Sequence, residues 1–388
     1  MTRRIAVVTG TRAEYGLLTG LVSLFHASPD TELQLLVTGT HLSPQFGYTV
    51  REIEADGFPI AERIDILMAS DNAVGVAKAM ALGLVGFAEA YRRLAPDLVV
   101  ILGDRSEILS AAAAALVAAI PIAHIHGGET TEGAYDEGIR HAVTKMAHLH
   151  FTATEKYRHR VIQLGEDPSR VFNVGAPGLD ALAQFTPVPL GELERALGFT
   201  FGEESLLVTF HPETAEGTDP RAAMDELFAA LDTRPGAHLL FTLPNADAGG
   251  RALIEMVQSY VARRADAVAH ASLGHHRYLS ALHYVSGVVG NSSSGIIEAP
   301  SMGIGTLDIG NRQAGRLRAD SVLSVPAERL AIAKGLDQML SPAFRERCRT
   351  VSNPYSGGNA AAAIFEVLRG FPLTGITRKQ FHDLPVGA

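Results

Sequence analysis

Short apolar, β-branched runs recur along this chain, and each is followed by a longer stretch with helical spacing. In the first half the runs are residues 5–9, 33–38, 98–102, 122–125 and 149–152; in the second they are 206–210, 238–242, 267–271, 287–289 and 306–309. Regular alternation of strand and helix predicts parallel sheets joined by crossover helices. The runs are nearly continuous in apolar residues instead of alternating with polar ones, so both faces of each sheet are expected to be covered. Both halves therefore read as doubly wound α/β sheets. Residues 175–191 are dense in proline and glycine and lie between two sets of five predicted strands, which makes them the natural linker. Domains are expected at 1–178 and 190–356.

A length of 388 residues agrees with two domains of similar size. With 47% hydrophobic and 19% charged residues the chain is globular, which excludes a disordered, collagenous or coiled-coil protein. A formal charge of −9 removes the broad cationic footprint needed by a nucleic-acid or anionic-membrane partner. Cys348 is the single cysteine, so one chain can build neither a disulfide framework nor a cysteine zinc site, and a reducing cytoplasm is the expected location. After Met1-Thr2-Arg3-Arg4 the apolar run is only Ile5-Ala6-Val7-Val8, too short for a signal peptide. The apolar run 108–123 is broken by Pro121 and falls short of the roughly 20 residues of a bilayer span, so it reads as a buried helix leading into a strand.

In open α/β sheets ligands bind beyond the carboxyl ends of strands, and the polar signals of this chain gather there. Gly10-Thr11-Arg12-Ala13-Glu14-Tyr15-Gly16 is a strand-to-helix turn offering backbone N–H groups and a guanidinium to an anion. It lacks the spacing of a dinucleotide fingerprint. Gly103-Asp104-Arg105 sets a carboxylate beside a cation, as an ion pair or as a reactive group. Residues 124–137 hold His124, His126, Glu129, Glu132, Asp136 and Glu137 in one glycine-rich loop, a concentration of unlike titratable groups suited to general acid–base work. On a strand His124 and His126 would face the same way, but His-x-His without a third spaced ligand is not a zinc or iron signature. The bland alternative is a solvated loop capping a helix that begins at Asp136.

In the second half, His211-Pro212-Glu213-Thr214 and Pro244-Asn245 each follow a strand. Gly290-Asn291-Ser292-Ser293-Ser294-Gly295 runs from a strand into a helix rich in hydroxyls and N–H groups, a phosphate nest that is neither a nucleophile elbow nor a P-loop. Arg312, Arg316 and Arg318 follow another strand and suit a diphosphate. The residues alone thus indicate a two-domain enzyme with a diphosphate-bearing ligand and acid–base groups on the N-terminal side.

These motifs, in this order, resemble the hydrolysing UDP-N-acetylglucosamine 2-epimerases of sialic-acid biosynthesis over nearly the whole chain. The residues that carry the resemblance are Gly10 to Gly16, Gly103-Asp104-Arg105, His124-Ile125-His126-Gly127-Gly128-Glu129, Asp136-Glu137 with Ile139-Arg140-His141, His211 to Thr214, and Asn291 to Gly295 with Glu298 and Arg312-Gln313. The resemblance implies a GT-B fold of two Rossmann-like domains with a cleft between them, and a C-terminal helix, 357–388, that crosses back to the first domain. It implies loss of the C2 proton with departure of UDP, then addition of water to 2-acetamidoglucal to give N-acetylmannosamine, without a cofactor. It implies a homodimer or homotetramer. UDP would be held by Gly10, Arg12, Ala13, Arg105, His211, Asn245, the backbone near Leu273, Ser292, Ser293, Ser294, Gly295 and Arg312, with Glu298 on the ribose. Asp104 would be a catalytic acid or base, with Asp136 or Glu137 as a second; His211 joins the catalytic set. Animal members carry a glutamate where this chain has His126, which leaves the base between His126 and Glu129. Relatives of the legionaminic-acid pathway, acting on UDP- or GDP-linked N,N′-diacetylbacillosamine, resemble the chain equally well. A GT-B glycosyltransferase and a non-catalytic nucleotide-sugar sensor are the readings from other classes.

Overall fold

The computed structural model describes residues 2–68, 72–132, 134–213, 219–244 and 249–385. The chain forms two compact units, one of Met1–Glu129, Asp136–Ala181 and Tyr355–Ala388, the other of Thr130–Tyr135 and Leu182–Pro354.

In the first unit the strands are β1 (Arg3–Thr9), β2 (Thr31–Thr38), β3 (Ile60–Ile64), β4 (Leu98–Leu102), β5 (Ile122–Ile125), β6 (Leu149–Thr152) and β7 (Val171–Asn173). They pair in parallel in the order β3-β2-β1-β4-β5-β6-β7. Successive residues of β1 serve opposite layers, which is why an interior strand reads as one apolar run. Ile5 and Val7 join Leu18, Leu21 and Phe25 of the helix Arg12–Ala27. Ala6 and Val8 join Phe87 and Tyr91 of the helix Ala73–Leu94 and Ile108 of the helix Ser106–Val117. The far end of the chain completes the first of these layers. Helix Ala360–Gly370 buries Ile364 and Leu368 there, and its first N–H groups, from Ala360 and Ala361, donate to Asp180 at 2.8 and 2.6 Å.

The second unit has strands β8 (Ser205–Thr209), β9 (His238–Thr242), β10 (Ala267–His270), β11 (Gly287–Gly290), β12 (Thr306–Ile309) and β13 (Val322–Val325), also all parallel, in the order β10-β9-β8-β11-β12-β13.

Three strands, β3, β7 and β13, are absent from the sequence-based reading, and all three are sheet edges. β3 reads Ile-Ala-Glu-Arg-Ile with every second residue exposed, β7 has three residues, and no residue of β13 is fully buried. A search for continuous apolar runs finds strands covered on both faces and passes over edges. The segment Thr130–Tyr135, expected within the first domain, belongs to the second unit. There Arg316 Nε donates to the Thr130 carbonyl at 3.0 Å and the Glu132 N–H to the Ala314 carbonyl at 3.4 Å. The Pro/Gly-rich segment taken as a linker contains a 3₁₀ helix, Pro177–Gln184, and the division between units falls at Ala181–Leu182. Helix Ala73–Leu94, and not the apolar run 108–123, has the length and hydropathy of a membrane span. It is a crossover between β3 and β4 with Ala79, Phe87, Ala90 and Tyr91 buried, while Val74, Leu82, Leu84 and Val85 are exposed.

Candidate active site

β1 ends at Thr9, and the chain turns into the helix Arg12–Ala27 through a capping box. Thr11 Oγ1 accepts from the Glu14 N–H at 3.3 Å, while Glu14 Oε2 accepts from the N–H groups of Gly10 and Thr11 at 2.7 and 3.2 Å. This corrects the sequence-based expectation: Gly10 and Thr11 offer these donors to the chain's own carboxylate instead of to a ligand. Gly10 is required by close approach, since a Cβ there would stand 2.5 Å from Glu107 Oε1. Arg12, half-buried, and Ala13, exposed, open the helix. Arg105 Nε donates to Glu107 at 2.8 Å and lies 3.9 Å from Glu14 Oε1. Burial, then the like charge of Glu107, push the Glu14 carboxyl up to about 8 against the opposing pull of Arg105 and of the two N–H donors.

Beyond β4 and β5 the acid–base groups are tied together by one arginine. Arg140, on the helix Asp136–Met146, is only 1% exposed. Its Nη2 is ion-paired with Asp104, and its Nη1 stands 3.5 Å from both Glu129 Oε2 and the His126 carbonyl. Glu129 in turn pairs with His126 Nδ1. His126 Nε2 is buried and has no hydrogen-bond partner among the described residues. A carboxylate on Nδ1 selects the tautomer and leaves Nε2 as the working nitrogen. The arrangement is an oriented imidazole beside an oriented carboxylate, which is the machinery of proton transfer.

His124 and His126 do not share a face. β5 ends at Ile125, and His126 adopts φ +66°, so strand alternation stops between them. His124 Nε2 donates to the Gly103 carbonyl at 2.7 Å, and its Nδ1 lies 3.2 Å from Thr144 Oγ1. Burial pushes its pKa down to about 3, so it stays neutral and joins the ends of β4 and β5 to the following helix. Asp136 and Glu137, both half-buried, open that helix as expected. Glu137 meets His141 Nε2 at 3.1 Å on its own helix.

In the second unit the polar groups are organised by Asn291, just past β11. Its Oδ1 accepts from the His211 N–H at 2.7 Å and its Nδ2 donates to the His211 carbonyl at 2.8 Å, which locks the ends of β8 and β11 together. Its own carbonyl accepts from Arg312 Nη1 at 3.1 Å and Gln313 Nε2 at 2.8 Å. Gly290 precedes it at φ +130°, where a Cβ would collide with the Thr209 carbonyl. Tyr278 Oη donates to Ser294 Oγ at 2.7 Å. The helix expected after Ser293 is a single turn, Ser294–Ile297, so its dipole is small. Glu298 is buried at the end of that turn. Leu273 has its side chain in the core, so only its backbone is available to a ligand. Asn245 lies outside the described residues.

Residues 24–369 match a family model described as UDP-N-acetylglucosamine 2-epimerase. The chain belongs to that family. It is 38% identical over 384 residues to the GDP/UDP-N,N′-diacetylbacillosamine 2-epimerase (hydrolyzing) of Campylobacter jejuni, covering 98% of this chain and 99% of the relative. It is 37% identical over 385 residues to the polysialic acid biosynthesis protein P7 of Escherichia coli, covering 99% and 98%. The fold matches the UDP-GlcNAc 2-epimerase of Neisseria meningitidis solved bound to UDP-GlcNAc, with a TM-score of 0.78 at 18% identity over 94% of this chain and 99% of that one. The two parallel α/β sheets are those of the GT-B-like epimerases.

The motif reading of this 2-epimerase family member gave no role to Arg140, which the structure buries and ties to Asp104 and Glu129. Arg140 carried a signal. It falls on the buried stripe of its helix shared with Val143 and Thr144, where a charge must have a partner.

Proposed function

We propose that this chain is a hydrolysing 2-epimerase that converts a UDP-linked 2-acetamido sugar and water into the free 2-epimer and UDP. The observation that carries the reading is the linked set His126, Glu129, Arg140 and Asp104 at the carboxyl ends of β4 and β5. In the first step His126 Nε2 takes the C2 proton. The C2–H electron pair becomes the C1–C2 double bond as the C1–O bond to UDP breaks. Glu129 supports the imidazolium that forms. In the second step water adds its hydroxyl at C1, and a proton returns to C2 from the opposite face, with Asp104 as the second acid–base group. The sum is redox-neutral and calls for no electron carrier.

A C2 proton is weakly acidic, so stabilising the departing diphosphate matters as much as the base. Arg312, Ser292 and Ser293 in the second unit supply that stabilisation, and Glu298 takes the ribose hydroxyls. Loss of one such donor typically costs about 3 kcal/mol of transition-state stabilisation. Arg312→Ala is therefore expected to weaken UDP binding and turnover together, and an unchanged UDP titration would remove Arg312 from the site.

The sugar is proposed to be N,N′-diacetylbacillosamine, on the strength of the Campylobacter jejuni relative. UDP-N-acetylglucosamine is the second reading, favoured by the similarity to the Escherichia coli polysialic acid protein and by the family description. Proton NMR in deuterated water with each UDP-sugar in turn tests both. The expected result is UDP plus a free epimerised sugar carrying deuterium at C2, with the faster substrate naming the pathway. Epimerised sugar still attached to UDP would make the enzyme non-hydrolysing, and no turnover without an added acceptor would point to a transferase or a sensor.

A further inference from the structure

We propose that the first unit carries a second, separate site for a small anion, phosphate- or carboxylate-bearing, at the amino edge of its sheet. The candidate active-site residues follow the carboxyl ends of β4 and β5, whereas this cavity is lined by His148 and Arg170, which precede β6 and β7. Strands of a parallel sheet all run the same way, so these are opposite edges. The cavity has a volume of about 340 Å³, and its lining includes His148, Glu166, Asp167, Arg170, Arg378 and Lys379.

The two acids of this lining are already committed. Glu166 is buried and accepts from Lys145 at 2.6 Å, from His150 Nε2 at 2.9 Å and from Lys379 at 2.6 Å. Asp167 turns back to accept from the Ser169 N–H and hydroxyl at 2.9 and 2.8 Å. The cations are less fully used. Arg378 is exposed and its guanidinium has no partner among the described residues, and Arg170 donates through Nη1 to the Ile376 carbonyl at 3.1 Å. Among the lining residues, Arg170, Arg378 and Lys379 outnumber Glu166 and Asp167, a local excess of positive charge in a chain whose net charge is −9.

His148 adds a neutral donor. Its Nδ1 accepts from the Ile122 N–H at 3.1 Å, so the ring proton sits on Nε2. Burial, then the positive field of Lys379 and neighbouring cations, hold its pKa down to about 4, the response expected of an imidazole in a cationic pocket. The Arg378 guanidinium and the Arg170 N–H groups not given to Ile376, together with the His148 N–H, supply the kind of fork that recognises a phosphate or carboxylate.

The test is calorimetric titration of the full chain with inorganic phosphate, with UDP in excess to occupy any nucleotide site. Saturable binding is expected, at least ten-fold weaker in Arg378→Glu and lost in Arg170→Ala/Arg378→Ala. Arg378 is exposed and its guanidinium makes no hydrogen bond or ion pair among the described residues, so the single variant should unfold at the wild-type temperature. Binding is expected to be unchanged in Arg312→Ala, which separates this site from any diphosphate site in the second unit. Acetate in a parallel titration assigns the class: competition with phosphate marks a carboxylate ligand, and silence marks a phosphate one. No heat with the wild-type chain, equal affinity in Arg378→Glu, or loss of binding in Arg312→Ala would overturn the proposal.

Discussion

At His126 the backbone turns left-handed one residue past β5, and the imidazole meets Glu129 instead of continuing the strand. A non-glycine residue in that region costs of order 1–3 kcal/mol, which the surrounding structure must offset. In the proposed mechanism Glu129 acts through His126, so Glu129→Gln is expected to lower kcat about 100-fold with little change in KM, and to shift the pH profile of kcat. Glu129→Asp should recover part of the rate. A variant that lost activity only through a raised KM would argue for substrate binding at Glu129 instead.

Glu14 gives a test that does not involve turnover. Burial and the like charge of Glu107 push its carboxyl from the ordinary 4.5 up to about 8 in the folded chain. Between those values the folded state holds a proton that the unfolded state has released, so stability falls as pH rises from about 4.5 to 8 and levels off above. Glu14→Gln should flatten that decline in thermal unfolding measured from pH 5 to 8.5, and an unaltered slope would assign the titration elsewhere. The presence of Glu14 in the first motif is plain from the sequence. Its occupation of the Gly10 and Thr11 N–H groups depends on the capping-box geometry, which a linear pattern does not contain.

At the scale of elements, the ends of β8 and β11 are held by a side chain instead of by more ladder. Asn291→Ala leaves the buried N–H and carbonyl of His211 unpaired, each worth about 1–3 kcal/mol. Denaturant unfolding should show a loss of a few kcal/mol. Asn291→Asp, which keeps the acceptor and loses the donor, should fall between that variant and the wild type. The interior strands of both sheets are legible because continuous burial makes them continuously apolar. The edges β3, β7 and β13 are not, because their exposed positions carry Ala, Arg, Asn and Ser that equally suit a loop.

At the scale of the whole molecule, the last helix belongs to the core of the first sheet. Leu368 is fully buried there, so Leu368→Ala should cost about 2–5 kcal/mol, read by urea unfolding of the first unit. An Ala-rich helix at the end of a chain shows its amphipathic face in sequence but not the surface that receives it. The same limit applies to Thr130–Tyr135, six residues from the densest motif of the first half that pack within the second unit. By itself the sequence determined the α/β class, the interior strands, the resemblance to the 2-epimerases and the set of polar residues at the strand ends, since periodicity and residue chemistry are local properties. Only the tertiary structure decided that Arg140 joins Asp104 to Glu129, that His124 is a buried neutral brace while His126 presents a nitrogen, and that Glu14 caps its own helix. The first two outcomes rest on contacts between residues far apart in the chain, Arg140 with Asp104 and His124 with Gly103 and Thr144, which packing sets; the cap is local, but Arg105 and Glu107 also stand beside Glu14, and only the folded chain shows which partners it takes.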